Sequence, residues 1–368
     1  MISNISIKNF KLFKDINIEK ISQFTLIGGK NNTGKSSLME AIFMLFDLRH
    51  PFLTIRHNNS KGIMATPNTP EFFFEPIFNN FDSEEKIEIN AKFNGNSRNI
   101  EIEKTVNNQI KLPIKNNNIF NPEIGSIVQK DFNISLQELS INFKQDNIVL
   151  EKSKLSLNPD LDFQTQNNTN VNSNININYN YARQPSNQSE TAGKFSKLDI
   201  NKQTPILLKV IQTIAPEIQS ITVSAPNNIN MIYVDIGKQK KIPLAYMGDG
   251  INRLVSIVCS IGNCENGIML IDEIENGLHY SVIKDIWKGI IKAGKAFNCQ
   301  IIATTHSDEF LQLAHEAMLE EEKSNQDNFN KNNFSYIKLE KDKDNKIYVG
   351  ELDYETFDYA VSNNLEVR

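Results

Sequence analysis

The period with which apolar and polar residues recur changes along the chain, and the changes divide it. Over residues 2–9 the alternation sets Ile2, Asn4 and Ser6 against Ser3, Ile5 and Ile7, which predicts a strand with one buried face. Phe10, Phe13, Ile16 and Ile18 carry an extended, β-like region onward to Phe24-Thr25-Leu26-Ile27, a short apolar run that predicts a buried strand. Ser37 to Phe46 holds strong helix formers and neither Gly nor Pro, which predicts a helix. Residues 47–80 are punctuated by Pro51, Pro67, Pro70 and Pro76; the cluster Phe72-Phe73-Phe74 is expected to anchor this loop in a small core. Clean alternation returns over 86–93 and again over 100–104, with Asn94-Gly95 between, the pattern of a β-hairpin.

Residues 105–200 are rich in Asn. From Asn170 to Asn180 every second residue is Asn, with Val171, Ser173, Ile175, Ile177 and Tyr179 between. Composition alone reads as low complexity. The period of two instead predicts a strand with one apolar and one Asn face, followed by a polar loop from Gln184 to Gly193. From residue 203 the signals sharpen. Leu207, Leu208, Val210, Ile211 and Ile214 mark a helix ended by Pro216; 218–223 and 230–236 read as strands, and 251–261 as an apolar helix. Gly267 to Ile271 is a buried strand, 280–297 an amphipathic helix and Gln300 to Thr305 a second buried strand. Strands alternating with helices imply a mainly parallel sheet with helices on its faces.

Composition adds little beyond this. A formal net charge of −5 makes no overall electrostatic case for nucleic acid. No apolar run approaches the roughly 20 residues that span a bilayer, and the start of the chain lacks the charged and apolar regions of a signal peptide, so a cytoplasmic protein without membrane contact is expected. Cys259, Cys264 and Cys299 form no C-x-x-C pair and have no His cluster beside them. They read as buried thiols, Cys259 packing within the helix at 251–261.

The chemistry sits at the ends of the predicted strands. Gly29-Lys30-Asn31-Asn32-Thr33-Gly34-Lys35-Ser36 is a complete G-x-x-x-x-G-K-[ST] loop between strand and helix. In that setting backbone N–H groups and a helix N-terminus converge on one point, where an anion is stabilised. Ile268-Met269-Leu270-Ile271-Asp272-Glu273 ends a buried strand on two acids. Asp272 there is placed to hold Mg²⁺ with the Ser36 hydroxyl, and Glu273 to orient and deprotonate the attacking water. His306, in Thr304-Thr305-His306-Ser307 after the next strand, is a candidate contact for a γ-phosphate. Gly248-Asp249-Gly250 opens the helix at 251 and is a second anion-binding geometry, excessive for one nucleotide unless it serves one held by another copy.

These motifs in this order resemble the heads of ABC-type ATPases, in the branch that contains RecF, SMC proteins and the OLD-family ATPases, often labelled AAA-family. Ile7 to Phe10, Gly29 to Ser37, Gly248 to Arg253, Ile271 to His279 and Thr305-His306-Ser307 carry the likeness, and Asn364 to Arg368 looks like the endings of stand-alone members. The resemblance implies an α/β P-loop NTPase forming a single head over 1–368. An N-terminal mixed β subdomain and a long β-containing insertion at 51–200 would join a mainly parallel sheet; 201–315 would hold the signature helix, the Asp-Glu strand and the His switch, and 316–368 C-terminal strands and a tail. ATP and Mg²⁺ are the implied cofactors. Gly29, Asn31, Asn32, Thr33, Gly34, Lys35, Ser36 and Ser37 would bind phosphate, Ser36 and Asp272 the metal, Glu273 would activate water, and His306 would sense the γ-phosphate. Gly248, Asp249 and Gly250 would act in trans across a head-to-tail homodimer, with Asn276 and His279 at the interface.

The sequence departs from the family at Gly248-Asp249, where a Ser is usual; an acid near a triphosphate needs its own helix or a basic partner to offset it. The family's metal-contacting glutamine is not assigned, Gln129 being the position considered. Long heptad arms are absent, and the stretch after His306 is too short for a nuclease domain. The expected function is an Mg²⁺-dependent ATPase that dimerises as a switch for a separate effector, as stand-alone relatives linked to phage defence do. The alternatives are a RecF-like protein clamped on DNA and a nucleotide-dependent scaffold with little turnover.

Overall fold

The computed structural model describes residues 1–46, 74–107, 119–121, 126–128, 136–157, 163–169, 175–181, 188–323 and 330–367. Strands β1 (Ile2–Phe10), β2 (Phe13–Ile18) and β3 (Phe24–Gly28) lead into the phosphate loop and helix α1 (Lys35–Phe46). After two short 3₁₀ turns come β4 (Ile87–Phe93) and β5 (Asn96–Asn107), a small hairpin of β6 (Ile119–Asn121) and β7 (Ser126–Val128), and the meander β8 (Leu136–Gln145), β9 (Ile148–Leu157) and β10 (Phe163–Thr169). Then follow β11 (Ile177–Asn180), α2 (Gln188–Ile200), α3 (Thr204–Ile211), β12 (Ser220–Ser224), β13 (Met231–Asp235), β14 (Ile242–Pro243) and α4 (Asp249–Gly262). The rest is β15 (Ile268–Ile271), α5 (Tyr280–Ala296), β16 (Gln300–Thr304), α6 (Asp308–Lys323), β17 (Phe334–Lys341), β18 (Ile347–Leu352) and α7 (Tyr354–Ser362).

Two large sheets face each other across α1. One is seven-stranded and antiparallel, in the order β10-β9-β8-β5-β4-β1-β2. The other has six strands in the order β11-β15-β16-β3-β17-β18, parallel except for β18. The parallel strands are buried on both faces, so they read as apolar runs without alternation. Alternation persists in the packing. Met269 and Ile271 of β15 join the core under α2 to α6, while Ile268 and Leu270 join the core shared with α1 and the antiparallel sheet. This is the α/β architecture that the strand and helix pattern predicts.

The hairpin forms as expected: Asn94 and Gly95 both take positive φ, the backbone that a two-residue hairpin turn requires. Three expectations change. Ile2 is buried together with Ile5 and Ile7, although it falls on the polar side of the alternation. A bulge between Ile2 and Asn4 in the pairing of β1 with β4 supplies the extra residue that turns Ile2 inward. Residues 188–193, read as polar loop, begin helix α2. It buries Thr191, Ala192, Phe195 and Leu198, a helical stripe too thin to stand out in an otherwise polar stretch. Helices α6 and α7 likewise occupy parts of the C-terminal region read as strands and tail. Of the Asn-repeat strand, 177–180 is observed as β11, while 170–174 lie outside the described residues, as do Phe72 and Phe73; Phe74 is fully buried. All three cysteines are buried, and burial pushes the Cys259 thiol up to about 12. No helix among the described residues is long and apolar enough to cross a membrane.

The sheets are pinned by Gln300, the first residue of β16, which is fully buried. Its Oε1 accepts from the Ile2 N–H at 2.7 Å, and its Nε2 donates to the carbonyls of Ile2 and Ser22 at 2.8 and 2.9 Å. The amide thereby satisfies backbone groups of β1 in the first sheet and of the connection before β3 from a strand of the second. Gln300→Leu is expected to cost about 2–4 kcal/mol, since buried backbone groups lose their partners. Urea denaturation of the variant against wild type measures it; a loss below about 0.5 kcal/mol would remove Gln300 as the pin.

Candidate nucleotide-binding site

The parallel sheet delivers three strand ends side by side, β15, β16 and β3, and each carries part of one cluster. The loop after β3 needs unusual backbone. Gly29 and Gly34 take φ of 144° and 100°, and Asn32 takes 62°, a left-handed value that Asn tolerates better than most residues. A Cβ on Gly34 would stand 2.8 Å from the ring of Phe13, so the loop is moulded against the β1–β2 turn. Thr33 Oγ1 donates to the Lys30 carbonyl at 2.9 Å. Lys35 Nζ donates to the carbonyls of Gly29 and Lys30 at 2.6 and 2.8 Å, which places the ammonium in the hollow of its own loop. Ser36 and Ser37 follow in the first turn of α1, at the positive end of the helix dipole.

Asp272, immediately after β15, is 6% exposed. Such a carboxylate requires donors, and three side chains provide them. Thr304 Oγ1 donates to Oδ1 at 2.6 Å, Ser36 Oγ to the same atom at 3.4 Å, and the Tyr179 hydroxyl to Oδ2 at 3.3 Å. Burial, and after it the charge of Asp272, holds the Tyr179 hydroxyl well above the usual tyrosine range, so it remains a donor. Tyr179 comes from β11, the Asn-repeat strand, and is fixed by stacking on Tyr181 at 4.1 Å and an edge contact with Phe43 at 5.7 Å.

Glu273 has φ of 45°, strained for a side chain of its size. Its N–H donates to Thr304 Oγ1 at 2.8 Å, and its Oε2 accepts from Asn276 Nδ2 at 2.8 Å. One threonine hydroxyl thus orients both acids. His306 is brought to the same edge by β16. Its backbone N–H donates to Glu275 Oε1 at 2.8 Å, and ring Nδ1 lies 2.9 Å from that oxygen. With its side chain 41% exposed, the ring keeps one side open to solvent.

The structure sets Lys35 on the Gly29 carbonyl and Ser36 against Asp272, carries Glu273 and His306 beyond neighbouring strand ends, and adds Thr304, Tyr179, Glu275 and Asn276 as their partners, which sequence reasoning missed. Thr304 and Glu275 stood inside quoted motifs, and Tyr179 on the apolar face of the Asn repeat; nothing in one dimension pairs them with Asp272 or His306. Asn276 contacts Glu273 of its own chain, and His279 caps α5, accepting from the Ser281 N–H at 3.3 Å. Gly248 to Gly250 lie elsewhere in the chain. Gly248 is the N-cap of α4 with φ of 91°, Asp249 is exposed in the first turn without a side-chain capping bond, and Gly250 packs against Val282. Gln129 lies outside the described residues.

The cluster suits a nucleotide and a hard cation. A Cβ at residue 29 would run into the Leu339 carbonyl and one at residue 34 into the Phe13 ring, so the turn of the loop is built for glycine at both positions. A hydroxyl and a carboxylate, Ser36 and Asp272, are the oxygen donors that Mg²⁺ takes while keeping waters. Thr304→Val is expected to cost about 1–3 kcal/mol, because it leaves the Glu273 N–H without its acceptor and Asp272 Oδ1 with only the longer bond from Ser36. Thr304→Ser keeps the hydroxyl and is expected to stay close to wild type. Thermal unfolding of the pair checks this, and equal losses for Val and Ser would mean that packing of the methyl group, not the hydroxyl, matters.

Known proteins resemble this chain in sequence and in structure. A Helicobacter pylori protein named ATP/GTP phosphatase is 27% identical over 349 residues, covering 89% of this chain and 90% of that protein. The SMC head in the crystal structure of the SmcHead bound to the C-winged helix domain of ScpA superposes with a TM-score of 0.47 at 14% identity, over 96% of this chain and 97% of that one. For the SMC head domain from Thermotoga maritima the TM-score is 0.43 at 10% identity, over 96% and 99%. The family described as "AAA ATPase domain" matches residues 1–311. That match covers well over half of the 368 residues, and the chain accordingly belongs to the AAA ATPase domain family and is an ATPase.

Proposed function

We propose that ATP, with Mg²⁺, is bound at the loop Gly29–Ser37 and hydrolysed with Glu273 as the base, and that two copies close head to tail around the nucleotide as a switch for a separate protein effector. The observation that carries the catalytic part is the Thr304 hydroxyl, which holds Asp272 at 2.6 Å and the Glu273 N–H at 2.8 Å. It sets one acid toward Ser36 and turns the next through a strained backbone. The name of the Helicobacter pylori relative, ATP/GTP phosphatase, supports hydrolysis of a purine nucleoside triphosphate.

In this reading Lys35 exchanges the carbonyls of Gly29 and Lys30 for phosphate oxygens, and the loop N–H groups and the start of α1 stabilise the remaining negative charge. Ser36 and Asp272 would hold Mg²⁺, which when bound offsets charge on the phosphates. Glu273 accepts a proton from water, Asn276 fixing its carboxylate meanwhile. His306, oriented by Glu275, presents its open side to the γ-phosphate. Gly248 to Gly250 support dimerisation by position: they open a fourteen-residue helix, with Gly248 and Asp249 exposed, on elements other than those that build the loop. They are suited to a nucleotide held by a second copy. Asp249 stays offset by the dipole of its own helix. The setting of phage defence rests on the resemblance to stand-alone relatives.

Phosphate release and light scattering with Mg²⁺-ATP test both parts together. Glu273→Gln is expected to lower turnover about 10²–10⁴-fold and to accumulate ATP-dependent dimers, whereas Lys35→Ala loses both turnover and dimers. Undiminished hydrolysis by Glu273→Gln would sink the base assignment, and a monomer at all nucleotide concentrations would sink the switch.

A further inference from the structure

The segment after α7 returns to the phosphate loop. Leu365 N–H donates to the Ala360 carbonyl at 2.9 Å, which turns the chain off the helix end. Val367 is 8% exposed and joins the core beneath α2 to α6. Its carbonyl accepts from the hydroxyl of Tyr336, a fully buried residue of β17. β17 pairs in parallel with β3, and the Tyr336 hydroxyl abuts the Cα of Gly28 so closely that a Cβ there would overlap it. Gly28 directly precedes the first residue of the phosphate loop. One residue earlier in the segment, Glu366 Oε1 lies 3.0 Å from Lys30 Nζ, and the Glu366 carbonyl accepts from Lys338 Nζ at 3.1 Å. The Lys30 carbonyl is one of the two that hold Lys35. On its other side the segment lines a cavity of about 240 Å³ with Asp308 and Gln312 of α6, the helix that follows His306.

We propose that Asn364–Val367 is a strap belonging to the nucleotide site, in which the Val367 carbonyl and the Glu366 carboxylate are positioning groups for the phosphate loop. The inference rests on the reading of that loop as the ATP site. The two contacts differ in weight. Lys30 and Glu366 are both largely exposed, and such ion pairs contribute little. The Tyr336 hydroxyl is dry, and a buried donor without an acceptor is costly. Without the strap it loses that acceptor while still lying against Gly28 at the foot of the loop. The strap thereby fixes where Gly28 and Gly29 lie, and so the cradle that receives the phosphates. It acts on nucleotide affinity and leaves Glu273, beyond the end of β15, untouched.

The test is Mg²⁺-ATP turnover and titration with a fluorescent ATP analogue, with urea unfolding followed through Trp287, the single and fully buried tryptophan, as the measure of folding. Val367→Asp places a charge where Val367 is buried and lifts the strap. It is expected to raise KM about ten-fold with kcat within about two-fold. Adding Tyr336→Phe, which removes the stranded hydroxyl, is expected to recover most of the loss. A folded Val367→Asp with wild-type KM, or no recovery in the double variant, overturns the proposal. Should Val367→Asp fail to fold, Glu366→Lys decides. A rise in KM of about two- to five-fold, with Glu366→Asp, which keeps the carboxylate, staying at the wild-type KM, supports the strap; an unchanged KM overturns it. Lys35→Ala separates the two readings. If it binds the analogue as wild type does, the ATP site is misassigned; if it does not and the strap variants bind normally, only the strap is wrong.

Discussion

Asp272 is a buried carboxylate, and the arrangement of strands around it follows from its need for donors. In water each of its oxygens would be solvated. At the end of β15 the donors have to be protein groups, and they arrive from three other elements: Thr304 from β16, Tyr179 from β11 and Ser36 from α1. Were any of these elements displaced by a residue, the buried charge would lose one of its donors. The sheet order β11-β15-β16-β3 is thus coupled to the chemistry at its edge as well as to its apolar core.

The same hydroxyl that meets Asp272 takes the Glu273 N–H, and this offsets the left-handed backbone of Glu273. Strain of this kind persists only where surrounding contacts over-determine it. It turns consecutive acids in different directions, one toward the loop and one outward. Glu275 does the corresponding work for His306, and Asn276 for Glu273. The residues that follow the acid pair therefore hold the site of their own chain.

The phosphate loop is supported from beneath as well as beside. Phe13 packs on Gly34, and Tyr336 lies under Gly28. Both are aromatic residues of strands that border the loop on different sheets, and each meets a glycine because a side chain has no room there. Gln300 links those sheets through backbone groups of Ile2 and Ser22. The loop thus rests on a joint between the two sheets, which keeps a glycine-rich segment in one conformation.

Much of this was legible in one dimension. The eight-residue loop, the buried strands ending in Asp272-Glu273 and His306, and the period-two hairpin at 86–104 are set by local spacing, and local spacing decides which side chains can share a strand end or a helix face. Local pattern also misled, at Ile2, where a bulge shifts the register, and at 188–193, where a helix needs only a thin apolar stripe once it has a core to lie on. What the tertiary structure alone decided is partnership. Thr304 with Asp272, Glu275 with His306, Tyr179 from an Asn repeat and Glu366 with Lys30 are pairs from distant parts of the chain or from different motifs. A buried charge or hydroxyl specifies only that a partner must exist; the folding of the sheet determines which residue it is.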